Sequence, residues 1–152
     1  MPPAGRDSHM QLALAEAERA AARGEVPVGA VLAGPDSTVL ASAGNRTREL
    51  TDPTAHAEML VIRAACVALG QERLTNCDIY VTLEPCAMCA AAISFARLRR
   101  LYYGASDAKG GGVEHGPRVF AHPTCHHAPE CYGGIEAVRA GEILRSFFAS
   151  RR

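Results

Sequence analysis

The 152-residue chain is predicted to fold as a three-layer α/β/α sandwich around a central mixed sheet of about five strands. Three observations predict it. From residue 38 onwards, short β-branched or apolar runs alternate with longer apolar runs of helical spacing, the pattern of helices packed on both faces of a sheet. The length is that of one domain able to enclose a proper core, so residues 1–152 are expected to form a single domain. Two stretches rich in metal-ligating residues, His56-Ala57-Glu58 and Pro85-Cys86-Ala87-Met88-Cys89, each open an apolar helical run. Both helix starts are then expected at one edge of the sheet, where α/β proteins bind ligands.

Taken in order, residues 8–23 read as an amphipathic helix. Ser8 can cap it, Met10, Leu12, Leu14, Ala17 and Ala20 give it an apolar side, and Gly24 ends it. Residues 25–32 read as a strand, Gly34-Pro35-Asp36-Ser37 as a turn, and residues 38–43 as the returning strand of an antiparallel hairpin. Residues 45–54 are polar and read as a loop. A helix over 56–69 follows, with Met59, Leu60, Ile62, Ala65, Cys66 and Leu69 facing the core and Gly70 at its end. Residues 77–83 are nearly all apolar and read as a central strand. The helix opened by Cys86 runs to about Phe95, with Pro85 suited to its first position. A strand over 99–104 and a last helix over 136–149, apolar at Ile143, Leu144, Phe147 and Phe148, complete the reading.

Composition narrows the function. Apolar residues make up 48% and charged residues 21%, as in ordinary globular proteins. No apolar run reaches the ~18 residues of a membrane span, and residues 1–9 carry no apolar signal-peptide core. The first seven residues are expected to be disordered or an expression remnant. The formal net charge of zero argues against strong nonspecific nucleic-acid binding, though not against a small local RNA footprint. Without a secretion signal, the six cysteines fit a reduced cytoplasm better than a disulfide framework.

The two motifs carry the chemistry. His56, Cys86 and Cys89 supply one imidazole and two thiols, three ligands for a catalytic zinc whose fourth position is kept for water. Cys86 and Cys89, three apart, share one face of a helix. Both lie near its N-terminus, whose partial positive charge favours thiolate. His56 and Glu58 are two apart and do not share a face within a regular helix, so the first helical turn is expected at or just before His56. Glu58 then stands as the acid that moves protons without binding metal. The H-x-E…P-C-x-x-C pattern is that of zinc nucleobase deaminases. Taken alone, Cys-x-x-Cys also fits a redox pair or half a structural zinc site.

With these residues in place, the chain resembles the bacterial tRNA-specific adenosine deaminases of the cytidine-deaminase-like superfamily. The resemblance runs from about Met10 to Phe148. Its blocks are residues 25–31, Asn45-Arg46, residues 52–58, residues 80–86, Met88-Cys89 and residues 103–109. It implies hydrolytic deamination of adenosine to inosine at the anticodon wobble position, with one zinc per subunit and the base flipped out beside the metal. Hydroxide would attack C6 while Glu58 moves the protons. Backbone N–H groups near Ala57 and Cys86 would support the attacking oxygen. Asn45 would bond the base, Val28 would form the pocket wall, and Asp107 and Lys109 would lie near the RNA backbone. The implied partners are a tRNA anticodon loop and a second copy of the chain; the small residues Ala90-Ala91-Ala92 would allow close helix packing there but equally suit a buried helix in a monomer, and neither a membrane nor DNA is expected.

Alternatives stay open at this point. A free-base or nucleoside deaminase of the guanine or cytosine type shares the metal motif. The terminal Phe147-Phe148 could supply the lid that such an enzyme needs. Against it, Val28 stands where guanine-deaminase relatives carry an aromatic. A noncatalytic zinc- or RNA-binding subunit would be expected to lack Glu58. Where many relatives continue with Ser-Leu-Met, residues 110–120 read GGGVEHGPRVF, which puts RNA contacts there in question. Cys125, His126, His127 and Cys131 could bind a second metal, but they fit no common zinc spacing and read better as loop residues, with a histidine on an RNA base as a further minor alternative. Arg97, Arg99, Arg100, Arg151 and Arg152 read as surface charge at least as well as phosphate contacts.

Overall fold

The computed structural model describes residues 6–151. The elements are α1 (Arg6–Ala22), β1 (Gly29–Ala33), β2 (Val39–Gly44), α2 (Ala57–Leu69), β3 (Asp78–Leu83), α3 (Ala87–Phe95), β4 (Arg100–Ala105), a short 3-10 turn (Val119–Ala121), β5 (Glu130–Tyr132) and α4 (Ala137–Ala149). The five strands form one mixed sheet in the order β2-β1-β3-β4-β5. β1 runs antiparallel to both β2 and β3, whereas β3, β4 and β5 are mutually parallel.

Strand alternation builds two cores. Ala30, Leu32, Ile79, Val81, Leu101 and Tyr103 point to one face, where they bury Val61, Ile62 and Ala65 of α2 and Ile93 of α3. Val31, Ala33, Tyr80 and Tyr102 point to the other, against Met10, Ala13 and Leu14 of α1 and Ala140 of α4. This is the three-layer arrangement expected. Tyr80, Tyr102 and Tyr132 share one register position across β3, β4 and β5, and their rings stack at 4.6 and 5.2 Å. Helix α1 lies so close to β1 that a Cβ on Gly29 would fall 1.9 Å from the Ala13 carbonyl oxygen. No other residue permits that approach.

Several boundaries differ from expectation. α1 already includes Arg6 and Asp7, so Ser8 lies inside the helix instead of capping it. What was expected of residues 1–5 lies outside the described residues. The first strand starts at Gly29, not residue 25: Val28 N–H bonds back to Val26 at 2.8 Å, and Pro27 has no N–H to pair. In α2 the buried stripe is Ala57, Glu58, Val61, Ile62 and Ala65, while Leu69 is exposed. In α4, Ala140 and Phe147 are buried and Phe148 is exposed. Pro85 sits one residue before the N-cap, which is Cys86 itself. No helix among the described residues is long and apolar enough to cross a membrane.

Candidate active site

His56 is the N-cap of α2 and Cys86 the N-cap of α3, both with extended backbone, and Cys89 lies in the first turn of α3. The starts of two helices thus face one another, although α2 begins one residue after His56 and not at or just before it as expected. The His56 Nδ1 atom is 3.6 Å from Cys86 Sγ and 3.5 Å from Cys89 Sγ. Zinc bonds of about 2.1 Å to nitrogen and 2.3 Å to sulfur, at a tetrahedral angle, place those donors roughly 3.6 Å apart. The donor set therefore fits a zinc ion, with all three ligand atoms within 4.8 Å of one another. The two sulfurs divide one proton. The Cys89 thiol bonding to Cys86, together with His56, holds the Cys86 thiol down to about 4. The same contact and burial push Cys89 up. One divalent cation in place of protons satisfies all three groups.

Glu58 occupies the second position of α2 and is 4% exposed. Burial pushes its carboxyl up to about 7, the range in which an acid can both take and return a proton. Glu58, His56 and Cys86 line a cleft of about 300 Å³ with Val28, Asn45, Thr47, Leu83, Glu84, Asp107 and Gly110. Asn45 is buried and its amide nitrogen lies 3.4 Å from Thr47 Oγ1. Ala57, fully buried, starts α2 directly behind His56. Lys109 is brought not to this cleft but to an adjoining depression against α4, which shares Val26, Leu83, Asp107 and Gly110 with it. The cleft and this depression thus adjoin across Val26, Leu83, Asp107 and Gly110.

Two residues with structural work at the site carry no such reading in the sequence: Glu25 and Glu84, 1% and 2% exposed. Glu25 accepts the N–H groups of Arg48 and Glu49 at 3.1 and 2.8 Å, holding the loop that follows Asn45. Glu84 holds the loop on the opposite wall. The signal was an acid in an otherwise apolar run, since a buried carboxylate must find donors. Glu84, Glu114 and His115 also bring ligand atoms together, but Glu84 is already saturated by N–H donors, so the cluster is a loop anchor.

The Glu84 bond raises the His115 pKa, and the reverse contact helps hold Glu84 low: burial opposes ionisation of Glu84, but the N–H of Asp107 and the His115 imidazole outweigh it. A raised histidine pKa contributes stability that is fully present below about 6.5 and lost as pH rises through the folded value. A lowered glutamate contributes above about 4.5 and fades as pH falls through its folded value. His115→Ala is therefore expected to lower the melting temperature more at pH 6 than at pH 9, measured by thermal denaturation. An equal loss at both would contradict the pairing.

The remaining candidates are occupied elsewhere. Cys125 Sγ contacts Ser94 Oγ at 3.5 Å and the His127 carbonyl at 3.2 Å, Cys131 Sγ faces the Pro129 carbonyl, and His127 Nε2 bonds the Leu98 carbonyl at 2.6 Å. Among the described residues no second metal group forms there. Arg99 and Arg100 are ion-paired with Asp78, and the Arg151 guanidinium lies 4.0 Å over the Phe147 ring. All six cysteines are free thiols.

Together with the sheet order, this donor set restricts the chemistry to one class, the zinc-dependent hydrolytic deaminases, in which an acid that does not bind metal moves the protons. Residues 4–105 match the cytidine and deoxycytidylate deaminase zinc-binding region. A tRNA-specific adenosine deaminase of Agrobacterium fabrum is 64% identical over 149 residues, covering 98% of this chain and 97% of that protein. The chain belongs to this deaminase family and, within it, to the tRNA-specific adenosine deaminases. A solved structure from work on A-to-I editing by tRNA:A34 deaminases at the wobble position of transfer RNA is 65% identical, with a TM-score of 0.90 over 91% of this chain and 100% of that one. The guanine deaminase of Nitrosomonas europaea, at 21% identity and a TM-score of 0.79 over 98% of this chain and 87% of that one, shares the fold.

Proposed function

We propose that this protein hydrolyses adenosine to inosine at the wobble position of a tRNA anticodon, as a single zinc-dependent deaminase domain acting in the cytoplasm. The observation that carries the substrate class is the cleft: it holds His56 and Glu58, and at Asp107 and Gly110 it adjoins a second depression that reaches α4. A free base needs a closed pocket, whereas a nucleotide within a loop needs room for its neighbours. The names of the relatives favour the same substrate.

His56, Cys86 and Cys89 would hold the zinc, which when bound supplies Lewis acidity that brings the pKa of water towards ~7. Glu58 takes a proton from the attacking water and delivers it to the ring nitrogen beside C6. As the C6–N bond breaks, Glu58 takes the remaining proton from the new C6 hydroxyl, leaving the C6 carbonyl, and passes it to the departing amino group, which leaves as ammonia. The Ala57 N–H is among the first donors of α2, without an intrahelical partner, and would bond the developing oxyanion. Asn45 bonds the base edge, Val28 packs against the ring, and Asp107 and Lys109 flank the path of the neighbouring nucleotides. A second copy of the chain would cover the apolar face of α3, where Phe95 is 74% exposed beside a depression lined by Ala87, Ala91 and Val119.

The test sets two substrates side by side. Zinc-loaded protein is expected to form inosine in an anticodon stem-loop, read by mass spectrometry, and to release no ammonia from free guanine or cytosine. Ammonia from a free base without inosine in the stem-loop would reverse the reading.

A further inference from the structure

Glu84 stands at the end of β3, two residues before the ligand Cys86, and its side chain is fully buried. Five N–H groups converge on it. One oxygen accepts from Asp107 N–H at 2.9 Å and from His115 Nδ1 at 2.8 Å. The other accepts from the backbone N–H groups of Val113, Glu114 and His115 at 3.1, 3.0 and 3.1 Å. All five come from one loop, residues 107–115. That loop is also fastened to the ligand-bearing turn, since Gly112 N–H bonds the Pro85 carbonyl at 2.8 Å. The near end of the same loop, Asp107 and Gly110, lines the cleft opposite Asn45. Contact is close enough that a Cβ on Gly111 would fall 2.3 Å from Glu84 Oε2.

We propose that Glu84 is a positioning residue for the substrate: its carboxylate gathers residues 107–115 into one wall of the cleft and fixes that wall relative to the metal ligands. One anion satisfies donors from both ends of the loop, Asp107 at one and Val113, Glu114 and His115 at the other, so the loop is drawn round it. No neutral side chain of that size accepts five N–H bonds. Glu84 itself does not touch substrate. Its effect reaches the reaction through where Asp107 and Gly110 stand. This also accounts for the GGGVEH stretch: Gly111 lets the backbone close on the carboxylate, Gly112 lets it close on the Cys86–Ala87 backbone, and His115 adds a donor to Glu84.

The experiment uses the full zinc-loaded chain and three variants: Glu84→Gln, Gly111→Ala and the double variant. Gly111→Ala leaves Glu84 intact and wedges the loop from it. Each single variant is expected to keep one zinc per chain and to lose amide hydrogen-exchange protection in residues 107–115. Each should raise KM ~10-fold or more while kcat stays within ~3-fold, because misplacing a binding wall weakens binding more than the chemical step. The double variant should be no worse than Glu84→Gln, because both break one contact. The kinetic arm rests on the adenosine reading. If the unaltered chain forms no inosine, the same KM and kcat split is read on the base it does turn over, and loop protection is read without substrate. Unchanged protection, zinc loss with an equal fall in kcat, or additive effects in the double variant would each overturn the proposal.

Discussion

Glu58→Gln is expected to lower kcat by ~10²–10⁴-fold, the range that a positioned general acid–base group contributes, while zinc stays at one per chain. The amide keeps the shape of the carboxyl but can neither take a proton from water nor return one to the base. The result would not be confounded by unfolding. Burial raises the Glu58 pKa, to about 7, which means that its ionised form is disfavoured in the folded protein. For an acid whose pKa is raised, stability declines as pH climbs from the unfolded value through the folded one. The Gln variant is therefore expected to melt no lower than the parent at pH 8. Steady-state kinetics with metal analysis on the same samples check both halves. Retained turnover would remove Glu58 from the mechanism.

The second large effect is at the metal. Cys89→Ala or His56→Ala is expected to weaken zinc binding by well over ~100-fold, since even residues that merely support a zinc ligand are worth 10–100-fold. Turnover should be lost with the ion. The fold should remain, because the two apolar cores that hold the sheet to its helices contain none of the three ligands. Chelation of the unaltered protein should likewise abolish activity, and added zinc should restore it in the parent but not in the variants. Zinc content by mass spectrometry and far-UV circular dichroism separate ligand loss from unfolding. A variant that keeps its zinc would take that residue out of the ligand set.

Much of this was legible in the residues, for reasons that are local. The alternation of apolar runs located α2, β3, α3 and β4 because each buries a face whose period shows in the chain. The metal ligands were legible because imidazole and thiol at helix starts have few other uses in that spacing. Boundaries failed where short-range and long-range bonding compete. The run from Glu25 looks like a strand, yet Pro27 cannot donate, and the buried Glu25 serves the 48–49 loop instead. β5 was missed because Glu130–Tyr132 is three residues long, mostly exposed, and held by pairing with β4 more than by its own pattern. Leu69 was read as core from its chemistry alone, although it falls at a helix end beyond the packed stripe. Glu84 went unassigned for a deeper reason. Its donors lie 23 to 31 residues further along the chain, and nothing local to residues 80–86 reveals that a loop so distant will close on it.

X-ray absorption at the zinc edge of the loaded protein tests the coordination most directly. Two sulfurs at about 2.3 Å with one imidazole nitrogen and one further light atom near 2.0 Å are expected, and Cys86→Ser should change the sulfur count from two to one. A shell of four sulfurs, a shell without sulfur, or a count unmoved by that substitution would contradict the His56, Cys86 and Cys89 centre.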